Sequence, residues 1–351
     1  MRVAVTGATG NVGTSLLRVL SADESIDEIV GIARRRPQLQ FERTRWVTAD
    51  VARDDLVEAF RGVDAVVHLA WLIQPSRDRE VTRSVNVDGS RRVFEAAAAA
   101  GVASLVHASS VGAYSPGPKD RRVDESWATG GIPTSFYSRD KADVERILDG
   151  FEREHPQMRV VRLRPGLIFK AEAASGIRRL FAGPLLPTAL LHRRLIAIVP
   201  AMERLRFQGV HSLDVAEAYR LALISDVRGA FNVAAEPVLD PTELGRLLQA
   251  RPVPVSPRVL RVAVDASWKL RLQPTPSGWL DLALGVPLMD VTRAHEELGW
   301  TATRSAGEAL LELIEAMRRG EGLDTAPLQP GGAGPLRLRE LLTGVGARSR
   351  G

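Results

Sequence analysis

The segment VTGATGNVG, residues 5–13, sets Gly7, Gly10 and Gly13 between an apolar β-branched run (RVAVT, 2–6) and a stretch with helical spacing (NVGTSLLRVLS, 11–21). Glycines at a strand-to-helix turn allow close backbone approach, and the helix behind them presents unpaired N–H groups and a partial positive charge. A merely tight turn would not need three spaced glycines. The loop therefore predicts dinucleotide binding, with Gly7, Thr9, Gly10, Asn11, Val12 and Gly13 around the pyrophosphate.

The alternation continues. Strands are expected at 27–33, 45–49 and 64–70, and in ASLVHASS (103–110), MRVVRLRPG (158–166) and GAFNVAA (229–235). Helices are expected at 54–62, through 85–101, and from Tyr137 to about Glu154. FQGVHSLDVAEAYRLALIS (207–225) reads as a strand and helix returning to the sheet. Such a series predicts an α/β fold, a Rossmann-like doubly wound parallel sheet with right-handed crossovers. A smaller, mostly helical C-terminal substrate domain follows, with a proline-rich break at 252–257. The expected division is 1–165 and 207–235 for the dinucleotide domain, and 166–206 and 236–319 for the substrate domain. Residues 320–351 are poor in core formers and are expected to be a flexible tail, with LRLRELLTGVG (336–346) as a short helix.

At 45% hydrophobic and 25% charged residues, the 351-residue chain has the composition of a soluble globular protein. It has no cysteine, which excludes disulfides and thiolate metal sites and fits the cytoplasm. No run nears the roughly 18 apolar residues of a membrane span; LFAGPLLPTALL (180–191) is read as buried or substrate-facing. The net charge is +5, and of 47 basic residues only four are lysine. Their scatter argues against a nucleic-acid surface. The six histidines lack metal-ligand spacing, so no metal is expected; His68 and His107, in apolar strands, read as core residues.

About 20 residues past the glycine loop, an acid would mark the ribose hydroxyls of NAD. Here GIARRRP places Arg34 and Arg35 at the end of the second strand. A guanidinium suits a 2′-phosphate by charge and bidentate geometry, so NADP is favoured over NAD.

Tyr137 and Lys141, four apart, share one helix face. A nearby ammonium stabilises a phenolate and makes it useful near neutral pH. Alone this spacing is commonly a surface pair. Its context is LVHASSVGAYS, which brings Ser109 and Ser110 to a parallel strand's C-terminal end, where ligands of open α/β sheets bind. No Gly-x-Ser-x-Gly elbow surrounds these serines, so a polariser is expected there rather than a nucleophile.

With TGATGNVG, Asp50–Val51, HLA (68–70), NVDGS (86–90), ASSVGAY (108–114), YSRDK (137–141), RPG (164–166), VHSLDVAEA (210–218) and LGW (298–300), the sequence resembles the extended short-chain dehydrogenases/reductases, the NAD-dependent epimerase/dehydratase family, over roughly 1–318. The resemblance implies Ser110, four places before Tyr114, as the serine that holds a substrate oxygen. It implies Tyr137 as acid/base and Lys141 as holder of the nicotinamide ribose. It puts Asp50 and Val51 by the adenine, Leu69 and Ala70 on the path to the nicotinamide ribose, Asn86 in support, and Arg164 and Pro165 where cofactor and substrate domain meet. His211 and Asp214 are implied to be structural. WLIQPS after HLA, LIFK after RPG and RFQG before VH depart from the nucleotide-sugar members and lean towards a hydrophobic or small carbonyl substrate, with Trp71 and Trp127 as pocket or packing residues. The expected activity is NAD(P)-dependent hydride transfer between carbonyl and alcohol. The alternatives are a nucleotide-sugar epimerase/dehydratase that retains its cofactor and a cofactor-binding regulator without turnover. A homodimer through 79–100 and 136–154 is also implied.

Overall fold

The computed structural model describes residues 1–73, 78–178 and 196–330. The expected elements at 180–191 and 336–346 lie outside them. Seven strands form one parallel sheet. They are β1 (Arg2–Thr6), β2 (Glu28–Ala33), β3 (Thr44–Thr48), β4 (Ala65–His68), β5 (Ser104–Ala108), and the strands Arg159–Pro165 and Gly229–Val233. Across the sheet the order is 229–233, 159–165, β5, β4, β1, β2, β3. The direction of winding reverses at β1, and the crevice above its C-terminal end is where such sheets bind ligands.

The inner strands β1, β4 and β5 read as apolar runs because both faces are covered, whereas the edge strand β3 is only partly buried. Successive residues of β1 serve opposite layers. Val3 and Val5 join Leu16, Leu17, Val67, Val106 and Tyr219 on one face. Ala4 joins Val30, Val66, Phe94, Leu105, Val144 and Phe151 on the other. Burying a side chain of this size contributes about 1.5–3 kcal/mol, so this two-sided packing is the main support of the crevice.

Three features differ from the sequence expectation. Gly209–His211 does not rejoin the large sheet; it pairs in parallel with Leu167–Phe169. The proline-rich break begins with a strand, Arg251–Pro254, paired with Ile198–Ala201. Arg251 and Val255 donate their N–H groups to Ala197 and Ala201. Pro252 and Pro254 take the alternate positions, where a strand edge needs no donor. Lastly, the C-terminal part is not wholly a separate lobe: Trp300, Ala306, Ala309, Leu313 and Ala316 enter the same core layer as Val3 and Leu16.

Residues 320–330 are not a loose tail. Leu328 and Thr325 are buried, and the Leu323 N–H donates to the Leu328 carbonyl at 2.9 Å. Ser175 donates its hydroxyl to the carbonyl of Glu321 at 2.7 Å. Among the described residues, no helix is long and apolar enough to cross a membrane.

Candidate active site

Gly7 follows β1 with φ +70°, and a Cβ there would lie 2.7 Å from the N of Ala70. The end of β4 thus passes directly over the turn. A Cβ at Gly13 would lie 2.4 Å from the Gly7 carbonyl oxygen. Only glycine permits either approach. The helix Asn11–Ala22 starts from Gly10 without a side-chain cap. Its first-turn amides therefore face the crevice side of the loop with no side chain competing for an anion. Arg34 and Arg35 are exposed just past β2, whose Ile32 carbonyl accepts from the Gly7 N–H at 3.1 Å. Asp50 and Val51 follow β3. The Asp50 carboxylate accepts from the Ala52 N–H, and Val51 is buried beside Gly89. These residues fit a dinucleotide: a cradle that a Cβ would fill, an uncapped helix end and cations at its edge.

Ser110, two residues past β5, caps the turn Val111–Ala113, its oxygen accepting from the Gly112 N–H at 3.0 Å. Tyr137 is the second residue of the helix Phe136–Glu154, which Ser135 caps. A Cβ at Gly112 would come within 2.8 Å of the Tyr137 ring, so glycine admits the phenol to the strand end. Ser110 and Tyr137 meet over Gly112, where a Cβ would lie 3.4 Å from Ser110 Oγ and 2.8 Å from the Tyr137 ring; burial raises the phenol's pKa and the neighbouring Ser110 hydroxyl pulls it down. The rings of Trp71 and Trp279 stand 6.1 and 5.2 Å from that of Tyr137.

Lys141 is buried. Its Nζ donates to the Ala108 carbonyl at 2.6 Å and lies 3.4 Å from the centre of the Trp71 ring. Burial pushes its pKa down to about 7, against the opposing pull of Glu145 and Asp140. Nζ is 6.0 Å from the Tyr137 ring. Burial thus moves the two groups towards each other, raising the tyrosine and lowering the lysine.

The serine, tyrosine and lysine thus lie near one strand end, on the same side of the sheet as the glycine loop. The model of the NAD dependent epimerase/dehydratase family matches residues 3–234. The chain belongs to this family. An uncharacterized protein of Mycobacterium tuberculosis is 30% identical over 92% of this chain and 31% of its own length. The chain therefore spans about a third of the first curated relatives that it matches. The L-arabinose 1-dehydrogenase (NAD(P)(+)) of Haloferax volcanii is 41% identical over 31% of this chain and 40% of its own length. Among solved structures, MoeE5 in complex with UDP-glucuronic acid and NAD superposes with a TM-score of 0.64 at 23% identity, over 91% of this chain and 99% of that one.

Within this family fold, the remaining predicted residues divide. Leu69 and Ala70 lie against the glycine loop, and the Leu69 N–H donates to the Thr6 carbonyl. Asn86, inside the π turn Ser84–Asp88, clamps Leu72: it donates to the Leu72 carbonyl at 3.0 Å and accepts from its N–H at 2.7 Å. It holds the segment that carries Trp71.

Arg164 departs from the cofactor-facing place expected for it. Its guanidinium donates to both Glu145 oxygens at 2.8 and 3.0 Å, to the Tyr114 hydroxyl and to the Glu125 carbonyl. Pro165 is buried and pairs with Val233 at the strand end.

Glu145 is the residue the sequence reasoning missed. It accepts from Ser109 at 2.5 Å as well as from Arg162 and Arg164, and these bonds and charges outweigh burial and hold its pKa down to about 2. The signal was present: Glu145 lies four residues past Lys141, on the buried face of the same helix. Ser109 is thus tied to the scaffold, leaving Ser110 to face Tyr137.

His68 bonds Thr6 at 2.7 Å and Ser90 at 2.9 Å, while His107 stacks on it at 5.5 Å. Burial first, and Lys141 second, keep both neutral. Asp214 accepts from Thr303 and Arg304 and braces the C-terminal turn.

Proposed function

We propose that the protein is an oxidoreductase that favours NADPH and transfers hydride between the nicotinamide and a carbonyl or alcohol substrate. The observation that carries this reading is the meeting of Ser110 and Tyr137 over Gly112, just past the end of β5, with Lys141 one helical turn further on. The cofactor, when bound, supplies the hydride. In the reductive direction Tyr137 Oη gives its proton to the substrate oxygen while Ser110 Oγ holds that oxygen in place. Lys141 would hold the nicotinamide ribose and, in its charged form, would stabilise the phenolate left behind. Trp71 and Trp279 beside the phenol make its surroundings apolar, which suits a hydrophobic carbonyl and excludes water from the proton transfer.

NADPH consumption with a panel of aldehydes and ketones, measured on the wild type and on Tyr137→Phe, tests the reading. We expect the variant to lose at least about a hundredfold in kcat, within the usual range for removing a general acid. Turnover unchanged in Tyr137→Phe would overturn the assignment.

Cofactor choice rests on Arg34 and Arg35. Arg34→Ala should weaken NADPH about tenfold or more and leave NADH nearly unchanged, as loss of a charge-assisted phosphate contact implies. Equal effects on both would remove the 2′-phosphate argument.

A second reading is favoured by the MoeE5 complex with a UDP-sugar and NAD. In it, the same groups serve a nucleotide-sugar epimerase or dehydratase that retains its cofactor. Nucleotide released on denaturing the purified protein, in about equal amount to the chain, would favour that reading. A homodimer through the helices Gly89–Ala99 and Phe136–Glu154 belongs to the same proposal. Light scattering on the eluting protein decides it.

A further inference from the structure

The turn formed by residues 320–330 lies beyond the family match, and it reaches back to the glycine loop. Thr325 Oγ1 donates to the Thr9 carbonyl at 2.9 Å, across 316 residues of chain. On the other side of the same peptide unit, the Gly10 N–H donates to the Gly7 carbonyl at 3.0 Å. Because a peptide unit is planar and its C=O and N–H point opposite ways, these two bonds fix the plane from both ends. Gly10 has no side chain to resist rotation of that unit. Without Thr325 only one end would be held.

The turn is built for this contact. Thr325 is 3% exposed and Leu328 3%, so both anchors are buried. The Thr325 N–H donates to the Leu323 carbonyl at 2.7 Å, and the Leu328 N–H to the Thr325 carbonyl at 3.0 Å. A Cβ at Gly322 would lie 2.3 Å from the Leu328 carbonyl oxygen, so the turn closes only on glycine. Its base is tied down at a second point: Ser175 donates to the Glu321 carbonyl at 2.7 Å, and the Pro327 carbonyl oxygen packs over Gly176.

We propose that the 321–330 turn is a latch on the dinucleotide loop, with Thr325 as a positioning residue that holds the Thr9–Gly10 peptide in the orientation the pyrophosphate needs. The inference rests on the dinucleotide reading of the loop. It does not depend on which cofactor is preferred or on the reaction. The latch acts on the Thr9 carbonyl of the loop, so it is expected to affect NADPH and NADH alike.

The test uses the full chain with NADPH and NADH as probes, by fluorescence titration, on Thr325→Val, Thr325→Ser and Gly322→Ala. Thr325→Val keeps the shape and removes the donor; the loss of one hydrogen bond corresponds to about three- to tenfold weaker binding. We expect that loss for both dinucleotides, recovery of affinity in Thr325→Ser, and a comparable loss in Gly322→Ala. In the ligand-free protein, amide exchange at residues 9–13 should quicken in Thr325→Val while the strands of the sheet keep their protection.

Wild-type affinity and unchanged exchange in Thr325→Val would overturn the latch. So would a loss that Thr325→Ser does not restore, since that would mark packing rather than the hydroxyl. If the wild type bound neither dinucleotide, the cofactor reading would fall, and the exchange at residues 9–13 would still decide whether Thr325 orders the loop.

Discussion

At the scale of single residues, the site depends on groups whose charge and position are set by neighbours outside it. Glu145 is the clearest case. Three donors converge on it, and one of them, Ser109, is the residue before Ser110. Glu145→Gln would leave Arg162 with Asp149 and Glu152 but strip Arg164 of its main counter-charge. Breaking one partner out of a buried ionic cluster costs about 3–5 kcal/mol. The expected result is a fall in the urea midpoint at unchanged slope, followed by circular dichroism. A variant as stable as the wild type would show that the cluster is not a brace. This dependence also explains what was hard to read in the chain. Ser110, Tyr137 and Lys141 carry fixed spacings, so they stand out as letters. Arg164 sits in an equally suggestive RPG motif, yet its side chain turns to a glutamate 19 residues earlier, and no local spacing announces that pairing.

At the scale of elements, glycine and proline positions decided what was legible. The inner strands of the sheet were visible because parallel strands covered on both faces are largely apolar, while the edge strand β3, TRWVT, is only partly buried and was legible from its place in the alternation. Arg251–Pro254 was hidden because its prolines sit at the outward positions of a two-stranded edge. The return strand at 209–211 had the right composition but found Leu167–Phe169 before the large sheet.

Gly112 shows the functional use of the same economy. The Val111–Ala113 turn and the start of the helix Phe136–Glu154 touch where Tyr137 crosses Gly112. An alanine there would meet the ring at 2.8 Å, and the phenol would have to move. Gly112→Ala should lower kcat at least about tenfold, because displacement of about 1 Å can cost a hundredfold. Dinucleotide affinity, set at the other loop, should stay within about twofold. A variant with normal kcat would show that the contact is slack.

At the scale of the whole molecule, three lysines are held inside the protein with lowered pKa: Lys119 and Lys141 at about 7 and Lys170 at about 8, in each case mainly through burial. Lys119 ties two parts of the chain, donating to the Arg206 and Ala283 carbonyls at 2.7 and 3.0 Å. Lys170 donates to Thr14 at 2.8 Å beneath the glycine-loop helix. Below pH 7 these groups are charged in both folded and unfolded chains, and the fold bears their desolvation in full. Between the folded values, near 7–8, and the unfolded value of 10.5, the unfolded chain holds more protons than the folded one. Stability therefore rises with pH across that window, by up to about 1.4 kcal/mol per pH unit for each lysine that titrates. Above pH 10 the trend reverses, because burial pushes Tyr114 up to about 12 and the unfolded chain loses that proton first. Urea midpoints taken from pH 6.5 to 9.5 should climb. Lys119→Met, which replaces the ammonium with an apolar end of similar length and lies outside the proposed chemistry, should flatten about a third of the climb. A midpoint that stays flat over this range would mean that the lysines keep their protons in the fold, held by carbonyls alone.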